Sequence, residues 1–493
     1  MNPKMAAFFG TMAVYVVVAL YIGWVATRKS KAELQDYAVA SRSLGLIAQG
    51  FTFSATYFSS FAFLGVAAMN YAHGLAYWTV SPLTTGFTAL VAWIIGRKVW
   101  VLGKRYGYIS LADLLGDFYQ SDVIRLLVAL IGAVFIIPYI GTQMTGAGYV
   151  FNVVTNGLFP VEGGAFAFLV LTIIYVVAGG LRAVAWTDVF QGAFMYVAML
   201  TAVALILWTG FGGIFALSAV AAEKIPQYLT LPGGSNFITP LVFVGLWLPV
   251  NVGLLMSPHM FLRLYTAKSL ATLKWSMFVS GVFLATYHFM TPYVGLAARL
   301  LNPKWPVPDM IMPELLFKYV PTVLASIIIC GALAAMMSTV DSQMHALSMV
   351  VTHDIVRKYV VPRAPGLKIS EEGYFRLGRW LIVVGGLLSF WAAITIKGFM
   401  VIITTLAGGG FLQMTPALLG ALYWKRSSRL GAIAGLIVGT VLCSLWTLRM
   451  VPCYGGATMA GVWAVAINAV IFVVVSLVSS PQPPEVVTRF YDI

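Results

Sequence analysis

The chain has 493 residues, of which 60% are hydrophobic and 9% charged, with a formal net charge of +14. Soluble domains carry about 25% charged residues, so a water-solvated globular surface is excluded and a lipid-embedded chain is indicated. The positive surplus implies no nucleic-acid partner, because a basic face against anionic lipid headgroups accounts for it.

Apolar runs long enough to cross a hydrocarbon core of about 30 Å recur from end to end. Thirteen are predicted as transmembrane helices, at 6–27, 45–72, 75–100, 123–155, 161–179, 184–209, 237–262, 271–299, 320–356, 377–396, 399–424, 430–448 and 459–479. The first is too long for a signal-peptide core and has no small-residue cleavage site, so it is expected to be retained. If the N-terminus lies outside, Lys4, Lys224, Arg299, Lys304, Lys318, Lys397 and Arg449 are the seven basic residues on the outer side. The other 23 of the 30 lysines and arginines then face the cytoplasm, Arg263 among them. The positive-inside rule therefore predicts N-out, C-in.

Between the spans, 101–122 places Leu111, Leu114, Leu115 and Phe118 on one helical face, which suits a short helix lying at the cytoplasmic interface. Segment 300–319 is Pro-rich and outside, as a cap or as an ordinary loop. Cys330, Cys443 and Cys453 have no metal-binding spacing, allow at most one disulfide and read as small buried hydrophobes.

Two spans look interrupted. Residues 45–72 hold Gly45, Gly50 and Gly65 around "SATYFSS", and 237–262 hold Gly245, Pro249, Gly253 and Pro258 around "LPVNVGLLMSPHM". They are the second and seventh helices, five apart. Inverted five-helix repeats whose corresponding helices unwind at midplane would give that spacing; mere kinks at Gly and Pro are the alternative. The fold expected is thus an all-α polytopic membrane protein with an inverted 5+5 repeat of LeuT type, one helix before it and two after. Its divisions are 1–44 (first helix and cytoplasmic loop), 45–209 (first repeat), 210–236 (extracellular loop), 237–424 (second repeat) and 425–493 (two helices and a short cytoplasmic tail).

Within the ninth span, "GALAAMMSTVDSQMHALS" gathers polar groups where lipid makes them expensive. Ala335, Ser338, Thr339 and Ser342 share a helical stripe, with Asp341 beside it. An unpaired carboxylate near midplane costs about 2.5–3.5 kcal/mol on insertion scales, and no lysine or arginine is expected at that depth. A mobile hard cation such as sodium, held also by carbonyls freed in the unwound second helix, is the economical partner. The alternative is that these hydroxyls bond back to their own helix. Asp188, early in the sixth helix, is read as a second acid at the site or as a carboxylate favouring the helix dipole; Arg182 beside it is an anchor or its partner.

At this point the residues resemble the sodium:solute symporter family, which includes proline, glucose, pantothenate and monocarboxylate carriers. "AGGLRA" followed by "TDVFQG", "AAMMSTVDSQ", and "GALYWKRSSRLGAIAGL" with Ala421, Leu422, Arg426, Gly431 and Ala432 in register carry the resemblance along the chain. It implies a sodium site made by the carbonyls of Ala55, Phe58 and Ala335 with the hydroxyls of Ser338 and Thr339. It also implies a possible second cation or proton site at Asp188, Asp341 and Ser342. Tyr57 stands where proline carriers have an acid, and "ATYFSS" and "SPHMFLR" look closer to the pantothenate and monocarboxylate members.

The expected activity is sodium-coupled import of a small organic carboxylate across the cell membrane, with no cofactor, no enzymatic chemistry and no obligate protein partner. Proton coupling through Asp188, Asp341 or His345 is the nearest variant. A channel, a facilitator or a sensor reusing the fold is the more distant one, because no ring of pore-lining polar residues and no appended signalling domain is seen. Candidate solute contacts near the two breaks are Tyr57, Ser59, Gln143, Asn251, His259 and Gln413, which offer hydrogen-bond donors without a fixed charge.

Overall fold

Hydrocarbon offers no water to an unpaired backbone, so each apolar run must satisfy its own N–H and C=O groups, and every one of the thirteen folds as a helix or a broken helix. The computed structural model describes residues 2–27, 39–80, 82–178, 181–364 and 366–492. Arg28, Lys29, Lys31 and the Gly179–Gly180 turn lie outside the described residues, as does the side chain of Arg182. Among the described residues there is no strand, only one isolated bridge between Leu44 and Ala267.

In chain order, α1 is Pro3–Thr27. The second span is α2, Leu46–Tyr57, followed by a π turn at Phe61–Gly65 and α3, Val66–His73. Next come α4 (Pro82–Tyr106), the short α5 (Leu111–Phe118), α6 (Asp122–Val154), α7 (Val161–Ala178), α8 (Leu181–Phe211) and α9 (Ile214–Lys224). The seventh span is fragmented into α10 (Pro240–Leu248), a π turn at Pro249–Gly253, α11 (Leu254–Met256) and α12 (Pro258–Arg263). Then follow α13 (Leu270–Met290), α14 (Pro292–Leu301), α15 (Ile311–Tyr319) and α16 (Thr322–Met349), the last continuing as π helix over Val350–Val360. The chain ends with α17 (Glu371–Thr395), α18 (Met400–Leu412), α19 (Thr415–Tyr423), α20 (Arg429–Thr447), α21 (Ala460–Val478) and α22 (Pro484–Tyr491).

Among the described residues, eight helices are by themselves long and apolar enough to cross a membrane. There are ten if the bent pairs α2 with Phe61–Thr79 and α18 with α19 each count as one span. The second of these bends, 42° across Gln413–Met414, has no counterpart in the sequence expectations.

Helix α16 lies at the centre, with every residue from Ile328 to Met349 buried. A helix buried on all sides suits the middle of a bundle, and α16 touches α1, α2, α6, α8 and α12. Outer helices instead leave Val134, Trp208, Trp391 and Val478 exposed, as lipid-facing positions would be.

The apolar face predicted on α5 exists, but it does not lie on a membrane surface. Leu111, Leu114, Leu115 and Phe118 are buried inside the protein, beneath α6, α12 and α22. The tail, expected only as a short cytoplasmic end, folds as α22 and docks there. Phe490 is fully buried, edge-on to Phe118 at 4.9 Å, and Arg489 pairs with Asp117 at 2.6 Å.

Backbone-to-backbone contact seats the second break. A Cβ on Gly253 would stand 2.1 Å from the Gly408 carbonyl oxygen, and one on Gly408 would stand 2.5 Å from that of Pro249. Neither neighbour is a flexible side-chain end, so added volume must push α18 away from the π turn. Gly253→Ala is therefore expected to destabilise the protein by roughly 1–3 kcal/mol, seen as a lower unfolding temperature in detergent. Gly10→Ala, where a Cβ meets nothing within 4 Å, should not lower that temperature, since alanine suits a helix interior better than glycine.

Candidate ion and solute site

The helical ladder of α2 stops where the N–H of Phe58 meets the carbonyl of Ser54, and Phe58 turns to extended dihedrals. The chain bends by 60° before helix resumes. Gln143 on α6 holds the restart, its amide oxygen accepting from the N–H of Ser60 at 2.8 Å. The break leaves the carbonyls of Ala55 and Phe58 facing α16. Ser338 donates to the Ala55 oxygen at 3.1 Å, and Thr339 to the Phe58 oxygen at 2.8 Å. Both hydroxyls also lie near the Ala335 oxygen, at 2.9 and 3.0 Å, and Thr339 reaches the Ala55 oxygen at 3.5 Å. The two hydroxyls thus bond both back to their own helix and across to α2.

Five buried oxygens therefore converge, with only two hydroxyl hydrogens among them. Hard cations take oxygen ligands at about 2.3–2.6 Å, which puts neighbouring ligands about 3–3.7 Å apart. The observed separations fall close to that range. All five are the residues named from the sequence.

The second expected site is different. Asp188 is fully buried and faces a fixed cation: Arg263 donates to its Oδ2 at 2.9 Å. The same guanidinium reaches Ser342 Oγ at 2.7 Å and Thr56 Oγ1 at 3.3 Å, and Thr52 also donates to Asp188. This overturns both the expectation of no fixed cation at that depth and the assignment of Arg263 to the cytoplasmic face. The reason is the break at Ser257. Only α12 separates it from Arg263, about 9 Å at 1.5 Å per residue, so the side chain stays inside the bundle. Arg263 is 0% exposed, and its nearness to Pro258 was the sequence signal for it. Gln49 secures this end of α12 by donating to the Arg263 carbonyl at 2.7 Å. Asp341 lies beside the pair, buried, with Ser342 as its neighbouring donor and Asp188 and Arg263 the charges acting on it.

The candidate solute contacts divide. Tyr57 donates to the Val250 carbonyl at 3.3 Å and so links the two breaks. Asn251 is held by Thr88 at 2.7 Å and by the Trp247 carbonyl at 2.9 Å. Ser59 and His259 are buried with no hydrogen-bond partner on the hydroxyl or on either ring nitrogen. Tyr139, which sequence reasoning missed, lies over His259 with ring centroids 5.6 Å apart. Gln143 faces Ser60 rather than open space. Gln413 is not brought to this group: its amide donates to the carbonyls of Gly409 and Gly461, at 2.9 and 3.1 Å, which ties it to α21.

A family model for the sodium:solute symporters matches residues 37–439. The chain belongs to the sodium:solute symporter family. The sodium/pantothenate symporter of Escherichia coli (strain K12) is 29% identical over 439 residues, covering 87% of this chain and 88% of that one. The sodium/proline symporter of Salmonella typhimurium is 25% identical over 450 residues, covering 88% and 87%. A solved structure of a Na+-coupled sialic acid symporter, substrate-bound and outward-open, superposes with a TM-score of 0.76 at 19% identity, over 97% of this chain and 98% of that one. The last shows a shared fold. Together these support a multi-pass membrane transporter of the sodium-coupled kind and a role other than catalysis.

As a symporter whose core holds two acids and one arginine, the protein should respond sharply to loss of that arginine. Removing one partner of a buried pair costs about 3–5 kcal/mol. Arg263→Met should lower the detergent unfolding temperature strongly, and Arg263→Met combined with Asp188→Asn should recover much of the loss. Equal melting of the single and double variants would mean that the pair contributes nothing.

Proposed function

We propose that the protein imports a small organic carboxylate with sodium. The ion sits among the carbonyl oxygens of Ala55, Phe58 and Ala335 and the hydroxyls of Ser338 and Thr339. What carries this reading is the convergence of five buried oxygens, poor in hydrogens, at a helix break. Oxygen from two elements makes the ion a bridge between α2 and α16, so its binding can bias which way the bundle opens. The solute lies beside it, between the two breaks, against Tyr57, Ser59 and His259, with Tyr139 and Asn251 around them. Gln143 shapes this pocket by holding the restart of the first broken helix. A sodium ion next to a bound carboxylate favours it electrostatically, and the favour is reciprocal.

The architecture that fits this mechanism is thirteen spans, N-out and C-in in the cell membrane, with 45–209 and 237–424 as inverted repeats that rock between two states. The grouping of its segments by side has support. Lys4 bonds to Val153 and Asn156 and lies over Phe317, which groups segments expected outside. Arg42 reaches Tyr108 and Tyr265, which groups segments expected inside. The pantothenate symporter's similarity makes pantothenate the first solute to try, with proline and sialic acid next.

Coupling to a second cation or a proton at Asp341 is the other reading, favoured by two buried carboxylates facing one arginine. The sialic acid symporter structure is described as revealing a novel Na+ site, which is consistent with more than one ion in this fold.

Proteoliposomes should accumulate one of these labelled solutes only under an inward sodium gradient. Ser338→Ala and Thr339→Ala should each raise the sodium concentration for half-maximal uptake by about tenfold, the equivalent of about 1.4 kcal/mol. Unchanged sodium dependence in both would dispose of the site. Asp341→Asn should keep its abundance and lower the number of cations moved per solute; a ratio identical to wild type would remove Asp341 from coupling.

A further inference from the structure

A second cluster of ionisable groups lies away from the ion and solute site, where α5 meets the end of the α16 helix. Here the backbone passes from α to π geometry at Val350, and His353 and Asp354 meet α5. His353 Nε2 stands 3.1 Å from Asp113 Oδ2 and 4.0 Å from Asp354 Oδ1. Ser110, the N-cap of α5, donates to Asp354 Oδ1 at 2.8 Å, and Asp113 Oδ2 also accepts from the N–H of Ile109 at 3.2 Å. One ligand atom from each of Asp113, His353 and Asp354 lies within 4.8 Å of the others. The cluster is incomplete. Asp354 is 0% exposed, yet its Oδ2 has no partner, and neither does Nδ1 of the buried His353.

The charges are out of balance as well. With both acids ionised, an imidazolium leaves one buried negative charge over and a neutral imidazole leaves two. Arg125, which pairs with Asp122 at 2.8 Å, and the exposed Lys358 also act on the cluster and offset part of this charge. A dication beside a neutral imidazole brings the cluster to neutrality. The imidazole nitrogen selects a borderline transition metal over magnesium or calcium, and two carboxylates with one histidine can hold zinc.

The cluster also stands at a passage. His353, Asp354 and Ser110 line the same narrow cleft as Met256 and Pro258, which flank the second helix break. Its free volume is about 30 Å³, room for a water but not for a solute, so passage on this side requires α5 and the end of the α16 helix to part. We propose that Asp113, His353 and Asp354 form a binding site for a transition-metal dication of the zinc class, which clamps α5 to that helix end and holds the cleft shut. Bound metal thereby acts as a brake on opening, independently of which solute is carried.

The test needs no solute. In a background with Cys330, Cys443 and Cys453 replaced by alanine, purified metal-free protein is titrated with Zn2+ against a chromophoric chelator. One Zn2+ per chain is expected, with affinity at least tenfold weaker in His353→Ala and Asp354→Asn and restored in His353→Cys, which supplies a thiolate ligand and guards against mere misfolding. Ala346, buried in the cleft wall, is then changed to cysteine and its maleimide labelling timed. Zn2+ should slow labelling severalfold, Mg2+ should not, and adding His353→Ala should abolish the effect. No saturable stoichiometric binding, or equal affinity in His353→Ala and Asp354→Asn, overturns the site. Stoichiometric binding with unchanged labelling overturns the clamp.

Discussion

A carbonyl in hydrocarbon that has lost its helical N–H must find another positive partner, and most of this structure can be read as the consequence of doing that twice. Each free backbone polar group costs several kcal/mol in lipid, so a break is tolerable only in the middle of a bundle with groups arranged to meet it. At the first break, the Gln143 amide takes the N–H of Ser60, and two hydroxyls of α16 meet the carbonyls of Ala55 and Phe58. At the second, the π turn lies against the backbone of α18 at Gly408, and the Gln49 amide takes the Arg263 carbonyl. The two breaks also meet each other, through Tyr57 and the Val250 carbonyl.

Those arrangements explain why α16 is buried on every side. It serves the first break with Ser338 and Thr339, and one turn later it meets Arg263 with Ser342. A small shift of α2 or α12 against α16 therefore changes oxygen spacing at the first site and the ion-pair geometry at the second. An ion held at the proposed site would be linked to helix position by this route. It is a route through contacts between rigid elements, and its strength is a matter for the coupling measurements.

The arginine changes the electrostatic account of the core. With Asp188 alone, a mobile cation would be needed for neutrality. With Arg263 tethered beside it, Asp188 is matched, and the acid without an ion pair of its own is Asp341. Retaining a fixed ion pair also has a structural effect, because the guanidinium joins α2, α8, α12 and α16 at one point through Thr56, Asp188 and Ser342.

Composition and periodicity determined the solvent, the helical class and the thirteen apolar runs, because a ~30 Å hydrocarbon slab imposes length and hydropathy on each segment independently of its neighbours. The two breaks were legible for a similar reason: Gly and Pro act on the local backbone. The hydroxyl stripe of α16 was legible from helical spacing alone, and the partner carbonyls came from family resemblance. Arg263 was not seen, because whether an arginine at a span's end reaches water depends on where the break puts that end. Gln413 was misjudged for the same kind of reason, since a side chain's facing depends on which helix packs beside it, here α21. The docking of α22 on α5 and the meeting of Asp113 with His353 both join residues distant in the chain. Only tertiary packing decided them, because contacts of that kind leave no local period in a sequence.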